Sequence, residues 1–152
     1  MIFVTVGTQL PFPRLLAMME EVVDDPAQVF AQTADPTYSG ALPSTPFLDR
    51  DEFAARCREA SLIVGHTGTG TIFAARNLHK PLIVVPRRHH LGEHRSDHQF
   101  ATARELERAG HAAVAEDVAT LRRLVATPPP PLAPGDGPEK TRLIETLGAL
   151  LK

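Results

Sequence analysis

The residues best suited to chemistry crowd into one stretch of the chain, from Pro86 to Gln99. This stretch sets three arginines and four histidines against two carboxylates, although the whole chain carries a formal net charge of -2. Such a local excess of guanidinium groups predicts an anion site, and the planar, forked donors of arginine suit a diphosphate. We therefore expect Arg87 and Arg88 to bear the charge of a bound diphosphate, with His94 assisting. The alternative is a solvated basic loop.

The same stretch contains a spacing that can bind zinc. His94 and His98 stand four residues apart, on one face of a predicted helix. No cysteine or carboxylate ligand set completes such a site in the sequence. We therefore expect phosphate recognition here without a bound metal.

A second candidate is a run rich in glycine and hydroxyl groups, made of His66, Thr67, Gly68, Thr69, Gly70 and Thr71. Its glycines permit a phosphate to approach the backbone, and a helix beginning here would supply unpaired N–H donors. The run departs from a dinucleotide fingerprint because Phe73 occupies the third glycine position, so NAD is a minor alternative. His66 is either a donor to a leaving phosphate or a strand-end histidine satisfied by the backbone.

The third candidate is the small-residue turn of Gly7, Thr8 and Gln9. Such a turn lets N–H groups and a hydroxyl face a ligand, although it can equally be a tight turn and nothing more. Each of the three candidates follows a segment that resembles a buried strand. In an open parallel sheet, ligands bind beyond the carboxyl ends of the strands, which is where these segments would lie.

The strand-like segments that precede the candidates are Ile2 to Val6, Leu62 to Val64 and Leu82 to Val85. Their β-branched, nearly continuous apolar character predicts strands covered on both faces of a parallel sheet. Weaker or shorter strand candidates are Gln28 to Gln32, a stretch around Phe47, and Ala112 to Ala115.

Helical patterns alternate with these strands. The predicted helices are one that begins at Pro13, one capped by Asp49 with Glu52, one that opens in the glycine-rich run, and two more from Glu93 to Ala109 and from Asp117 to Ala126. This alternation predicts a doubly wound, Rossmann-like α/β fold with right-handed crossovers.

We assign residues 1–127 to this α/β domain and residues 128–138 to a Pro/Gly-rich linker. Residues 139–152 form a predicted amphipathic helix, whose leucine stripe packs either on the same domain or on a partner. The stripe consists of Leu143, Leu147, Leu150 and Leu151.

Bulk composition limits the class of protein. A chain of 152 residues with 43% hydrophobic content builds one ordinary domain. Cys57 is the single cysteine, and no segment resembles a signal peptide or a membrane span, which together predict a cytoplasmic protein. The slightly acidic charge argues against non-specific binding of nucleic acid.

Four segments in order resemble the C-terminal domain of family 28 glycosyltransferases, the MurG-like family. They are the opening Ile2 to Gln9, the turn His66 to Ile72, the strand Lys80 to Pro86 and the helix entry Asp97 to Gln99. The segment from Pro86 to Gln99 is also similar to the small PssE- and EpsE-like subunits of bacterial exopolysaccharide synthesis, which are stand-alone C-terminal halves. The resemblance extends to about Val125, whereas residues 33–48 match poorly.

This resemblance implies the donor half of a GT-B glycosyltransferase, with a UDP-sugar as co-substrate and no other cofactor. It implies an inverting, metal-independent transfer of a hexosyl group to a lipid-linked or polysaccharide acceptor, held by a separate membrane-associated subunit. It also implies that the segment from Thr67 to Gly70 lies near the diphosphate, that the turn from Gly7 to Gln9 forms the first loop of the site, and that Asp97 and Gln99 lie near sugar or ribose hydroxyls.

An inverting transfer needs stabilisation of the departing diphosphate and a base for the acceptor hydroxyl. The first need is met by Arg87, Arg88 and the glycine-turn helix, with His66 or His94 assisting. No residue is marked by its sequence context as the base, so we expect the isolated chain to bind nucleotide but to transfer little.

Two rival functions are set against this hypothesis. Many relatives place a glutamate for the ribose hydroxyls a few residues into the glycine-turn helix, where this chain has Ala74. That departure favours a non-catalytic nucleotide-binding module. A sugar-nucleotide epimerase is disfavoured because it needs a second nucleotide-gripping domain, for which the chain is too short.

Overall fold

The structure is a computed structural model that describes residues 1–8, 10–88, 91–93, 98–108, 110 and 112–131. Gln9, His94 and Asp97 lie outside the described residues. The same holds for the predicted terminal helix, residues 139–152, and for most of the predicted linker.

The described residues contain a single parallel sheet. Its strands are Ile2–Thr5 (β1), Val29–Gln32 (β2), Ser44–Thr45 (β3), Leu62–Gly65 (β4), Leu82–Val84 (β5) and Ala113–Val114 (β6). They lie in the order β3-β2-β1-β4-β5-β6, and each neighbouring pair is parallel. The helices between them are Pro13–Val22 (α1), Arg50–Glu59 (α2), Thr69–Asn77 (α3), His98–Arg108 (α4) and Val118–Ala126 (α5). The predicted doubly wound α/β fold is therefore confirmed.

Both faces of the sheet are covered by helices. Neighbouring residues of a strand point to opposite faces, and Phe3 and Val4 of β1 belong to different buried clusters. The cluster with Val4 includes residues of α1 and α5, whereas the cluster with Phe3 includes residues of α2, α3 and α4. The continuous apolar character of the strands follows from this two-sided burial.

The strand order reverses between β1 and β4. After β1 the chain adds β2 and β3 on one side, and it then crosses back to place β4 on the other side of β1. Thr5 and Gly65, at the carboxyl ends of β1 and β4, are paired. The turns that follow these strands therefore leave the sheet side by side, at the kind of reversal where doubly wound folds bind ligands.

The weaker strand predictions had different outcomes. The predicted strand from Gln28 to Gln32 is confirmed as β2. The predicted strand around Phe47 is wrong, because the pairing occurs earlier, in β3, and Phe47 lies exposed beyond it. Pro43 and Pro46 flank β3, and proline lacks the N–H group that would extend the ladder in either direction.

Four of the five predicted helix starts are confirmed, including the starts at Pro13 and in the glycine-rich run, and one is wrong. Asp49 and Glu52 form a reciprocal capping box at α2, and Asp117 accepts a hydrogen bond from the backbone N–H of Thr120 at α5. Glu93, in contrast, lies in a turn, and the described part of α4 begins at His98. Its carboxylate instead accepts hydrogen bonds from the side chain of Arg14 and from the backbone N–H of Arg88.

Tyr38 ties the connection between β2 and β3 to the last turn of α1. Its hydroxyl donates a hydrogen bond to the carboxylate of Glu20 and accepts one from the backbone N–H of Leu42 at 3.2 Å. Since α1 runs from the carboxyl edge of the sheet back to the amino edge, this contact lies on the side of the domain opposite the strand-end turns. Burial, followed by the bond to Glu20, raises the pKa of Tyr38 to about 12.

Tyr38 is therefore expected to ionise near pH 12 in the folded protein instead of near its ordinary value of 10. Folding favours the neutral phenol, so this contribution to stability is complete below pH 10 and is lost as the pH rises towards 12. The chain has one tyrosine and no tryptophan, so tyrosinate absorbance reports this residue alone. Glu20→Gln should lower the midpoint of the titration. An ordinary midpoint in the unaltered protein would contradict the buried, bonded hydroxyl.

Candidate functional site

His66 lies in a slot between the two glycine-containing turns. A Cβ atom on Gly7 would stand 2.7 Å from His66 Nε2, and one on Gly68 would stand 2.5 Å from the same atom. A side chain at either position would therefore displace the imidazole or the turn, and Gly7 also has a φ angle of +81°, which favours glycine. The structure therefore brings two of the predicted turns together around one imidazole.

The main chain of His66 completes a tight turn after β4. Its N–H donates to Thr5 O at 3.3 Å, and its carbonyl oxygen accepts from the N–H of Gly68 at 2.8 Å. The imidazole itself is half-buried at the strand-end edge. The backbone thus fixes where the ring stands, and the ring remains at the edge where a ligand is expected.

The N-terminus of α3 lies beside this slot and has features that suit an anion. The first amides of a helix have no intrahelical acceptor, and the N-cap residue Gly68 offers no side chain to accept them. The first turn of α3 contains no acidic residue. A Cβ atom placed on Gly70 would meet no atom of the described residues within 4 Å, so none of them fills the space beside this turn. Backbone donors, the helix dipole and open space together suit a phosphate.

Thr67 and Thr71 are buried on either side of this helix start. The methyl group of Thr71 packs over Gly65, where an added Cβ atom would stand 3.1 Å from Thr71 Cγ2. The hydroxyl of Thr67, a residue only 3% exposed, has no hydrogen-bond partner among the described residues. Such a buried unpaired group costs about 1–3 kcal/mol, which a ligand at the helix N-terminus would offset by accepting its hydrogen bond.

Thr5 and Gln32 support the first turn from below. The N–H of Gly7 donates to Thr5 Oγ1 at 3.2 Å, and the hydroxyl of Thr5 donates to Gln32 Oε1 at 2.8 Å. Thr8, next along the turn, is exposed. Thr5 and Gln32 were not among the predicted site residues, although each is a polar residue at the end of an apolar strand.

Arg87 supports the same turn. Its side chain was expected to face outwards, but it points into the protein. Its guanidinium donates to Val6 O at 2.9 Å, Leu10 O at 2.6 Å and Pro11 O at 2.7 Å. It also lies 4.7 Å from the centre of the Phe12 ring, and only 2% of the residue is exposed. Burial lowers the pKa of Arg87 to about 10, which leaves it charged at neutral pH. We expected a diphosphate contact, whereas this geometry holds the connection between β1 and α1.

Arg88 remains at the surface of the site. Its side chain is 28% exposed, and its Nη1 lies 3.1 Å from Glu116 Oε1. Arg104 of α4 pairs with the other oxygen of the same carboxylate. Glu116, which the sequence analysis missed, therefore links the turns that follow β5 and β6.

Arg14 and Glu93 form an ion pair that the sequence also did not reveal. Arg14 Nε lies 2.8 Å from Glu93 Oε2, and the two residues stand 79 positions apart in the chain. Gln99 lies in the first turn of α4, which leaves from the same connection. The predicted roles of Gln99, and of the undescribed Gln9, His94 and Asp97, stay predictions.

Two features are absent from the described residues. Within them, no cluster of three or more histidine, cysteine or acidic side chains could hold a metal ion. In the same part of the chain, no helix is both long enough and apolar enough to cross a bilayer.

Comparison with known families gives one match that spans most of the chain. Residues 1–127 match the family described as the glycosyltransferase family 28 C-terminal domain. No curated protein sequence matches the chain.

Solved structures with the same fold include glycosyltransferases. The solution structure of ALG13 superposes with a TM-score of 0.62 at 17% identity, covering 99% of this chain and 96% of that chain. MurG from Acinetobacter baumannii has a TM-score of 0.59 at 22% identity, covering 83% of this chain and 40% of MurG. SsfS6 from a Streptomyces species, complexed with thymidine diphosphate, has a TM-score of 0.56 at 20% identity, covering 97% of this chain and 37% of SsfS6. The likeness shows the Rossmann-like fold of the C-terminal half of GT-B enzymes.

Proposed function

Because the chain belongs to the glycosyltransferase family 28 C-terminal domain family, which it matches over residues 1–127, we propose that it is the donor-binding half of a glycosyltransferase that uses a UDP-sugar. The observation that carries the proposal is the open anion site at the N-terminus of α3, beside His66 in its glycine slot. The diphosphate of the donor accepts hydrogen bonds from the first amides of α3 and from the hydroxyl of Thr67.

The same groups stabilise the leaving group. When the glycosidic bond to the sugar breaks, negative charge grows on the diphosphate, and donors already fixed around it lower the barrier. Arg88 adds a positive charge from the turn after β5, the strand next to β4. His66 or His94 assists. Because these groups supply the positive charge that a metal ion would otherwise provide, the proposed hexosyl transfer is independent of metal, and the resemblance to the family implies that it is inverting.

The acceptor is held by a second polypeptide. This chain spans 40% of MurG and 37% of SsfS6 but 96% of ALG13, so it corresponds to one part of the larger enzymes. The first turn of α3 carries no carboxylate that could act as the base. We expect a membrane-associated partner to supply the base and a lipid-linked or polysaccharide acceptor, as in exopolysaccharide synthesis, with this chain at the cytoplasmic face.

One observation favours a second candidate function. Ala74 packs, partly buried, against the cluster that contains Phe3, and it places no carboxylate on α3. A non-catalytic module with this helix would bind the sugar nucleotide and leave it intact. Retention of intact donor in the presence of a competent partner would support that function over transfer.

The decisive experiment is calorimetric titration of the purified chain with UDP in EDTA, with TDP and NAD as competitors. We expect metal-independent binding of UDP that Arg88→Ala weakens by about 10- to 100-fold, since a charged hydrogen bond contributes about 1.5–3 kcal/mol. Arg104→Ala is the matched control, because Arg104 pairs with the same Glu116 carboxylate from α4. No binding of UDP would contradict the proposal. Full turnover by the isolated chain would contradict the need for a partner.

Gly70→Ala separates ligand contact from folding. Alanine is more favourable than glycine in the middle of a helix by about 0.5–1 kcal/mol, and at Gly70, in the first turn of α3, the added Cβ atom would meet no atom of the described residues within 4 Å, so urea unfolding should show a protein at least as stable as the unaltered one. The same methyl group occupies the space in which we place the diphosphate, so the affinity for UDP should fall. Unchanged affinity would mean that the diphosphate binds away from α3.

A further inference from the structure

Glu93 fastens the connection that follows β5 to helix α1. Its Oε2 accepts a hydrogen bond from Arg14 Nε at 2.8 Å, and its Oε1 accepts one from Arg14 Nη2 at 3.0 Å. Oε1 also accepts the backbone N–H of Arg88 at 3.0 Å. The Glu93 side chain is only 10% exposed, so this two-pronged pair is shielded from solvent far more than an ordinary surface ion pair.

Further hydrogen bonds hold the two ends of the same connection together. Arg14 Nη2 also donates to Pro86 O at 2.9 Å, so one guanidinium holds both ends of the segment from residue 86 to residue 93. The N–H of Glu93 donates to Arg88 O at 3.2 Å, and Arg87 Nη1 approaches Glu93 O at 3.5 Å. The position of Arg88 is thereby fixed from α1, an element that precedes it by more than 70 residues.

We propose that Glu93 and Arg14 act as a clamp that positions Arg88 for the donor diphosphate, with Glu93 as the positioning residue. This inference rests on the proposed function. An arginine held in place before the ligand arrives does not have to be ordered during binding, so the clamp contributes to affinity without touching the ligand. A clamp that served stability alone would leave the affinity for UDP unchanged when it is broken.

Three variants test the clamp. Glu93→Gln replaces the shared anion with a neutral amide that cannot accept at both of its terminal atoms. Arg14→Lys is the milder change, because it keeps the positive charge but loses the two-pronged geometry. Tyr38→Phe is the control, because it removes a part-buried hydrogen bond at the opposite edge of the sheet. Each protein is examined by urea unfolding, by amide hydrogen exchange without ligand, and by calorimetry with UDP in EDTA.

We expect faster exchange at Arg88 and a fall of about tenfold in UDP affinity for Glu93→Gln, with a smaller fall for Arg14→Lys. Tyr38→Phe should lose stability and keep the affinity of the unaltered protein. If Glu93→Gln does not fold, Arg14→Lys carries the test through the same measurements.

Three results would overturn the inference. Faster exchange with unchanged UDP affinity would show a clamp that serves stability alone, and the proposed function would stand. Equal losses of affinity in Glu93→Gln and Tyr38→Phe would show that the effect follows global stability. Absence of UDP binding in the unaltered protein would overturn the proposed function and this inference with it.

Discussion

Replacing Arg87 with methionine is expected to lower the free energy of unfolding by about 3 kcal/mol, the size seen when one partner of a buried charged network is removed. The guanidinium donates to the carbonyl oxygens of Val6, Leu10 and Pro11, and methionine can donate to none of them. Each buried carbonyl left without a donor costs about 1–3 kcal/mol, reduced where water enters. Methionine also removes the contact between the guanidinium and the face of the Phe12 ring, so the loss reports on the hydrogen bonds and on this cation–π contact together.

The matched control is the same substitution at Arg108. That side chain is 75% exposed and pairs with Glu105 three residues earlier on α4, so Arg108→Met should change stability by less than about 0.5 kcal/mol. Urea unfolding followed by circular dichroism measures both proteins. Equal, small effects of the two substitutions would mean that the connection between β1 and α1 does not depend on Arg87.

The contrast between these two arginines shows what local sequence can and cannot predict. Arg87 stands in a strongly basic run, and such a run indicates an anion site or a solvated loop. This guanidinium is buried because residues 6–11 pack over the end of β5. These residues stand up to 81 positions before Arg87 in the chain. The composition around Arg87 does not indicate this long-range contact.

The fold could be predicted well because its signals are local. Apolar runs gave the central strands, and Asp49 and Asp117 marked helix starts through bonds to residues only three positions away. The error at Glu93 has the opposite origin. A carboxylate before a helical pattern favours a helix start, but this one is held in a turn by Arg14, 79 positions away.

The separate segments of the candidate site were predicted, but their contacts with one another were not. Gly7 and Gly68 were each identified as glycines that allow a ligand to approach. The structure adds that both also make room for His66, which follows from the adjacency of β1 and β4. Thr5 and Gln32 escaped notice because each is the polar last residue of a strand, and strand ends are where sequence boundaries are least certain.

The slot around His66 leads to the second large effect, which is expected for Gly68→Ala. The φ angle of Gly68 is -113°, which alanine adopts without strain, so the backbone does not oppose the change. The added Cβ atom, however, would stand 2.5 Å from His66 Nε2 and 2.6 Å from Cε1. Either the imidazole or the turn must move, at a cost of about 1–3 kcal/mol in stability. Displacement of the turn also shifts the first amides of α3, so UDP affinity should fall by about 10- to 100-fold.

A double-mutant cycle with His66→Ala identifies the cause of this loss. Without the imidazole there is nothing for the new methyl group to displace, so Gly68→Ala should cost less than about 0.5 kcal/mol in the His66→Ala background, a clear departure from additivity. Urea unfolding of the four proteins gives the stability part of the cycle, and UDP titration gives the binding part. If Gly68→Ala is equally costly with and without the imidazole, the glycine serves the turn alone. If stability recovers in the double variant but UDP affinity does not, the imidazole itself contributes to donor binding, because the turn is then intact and only the ring is missing.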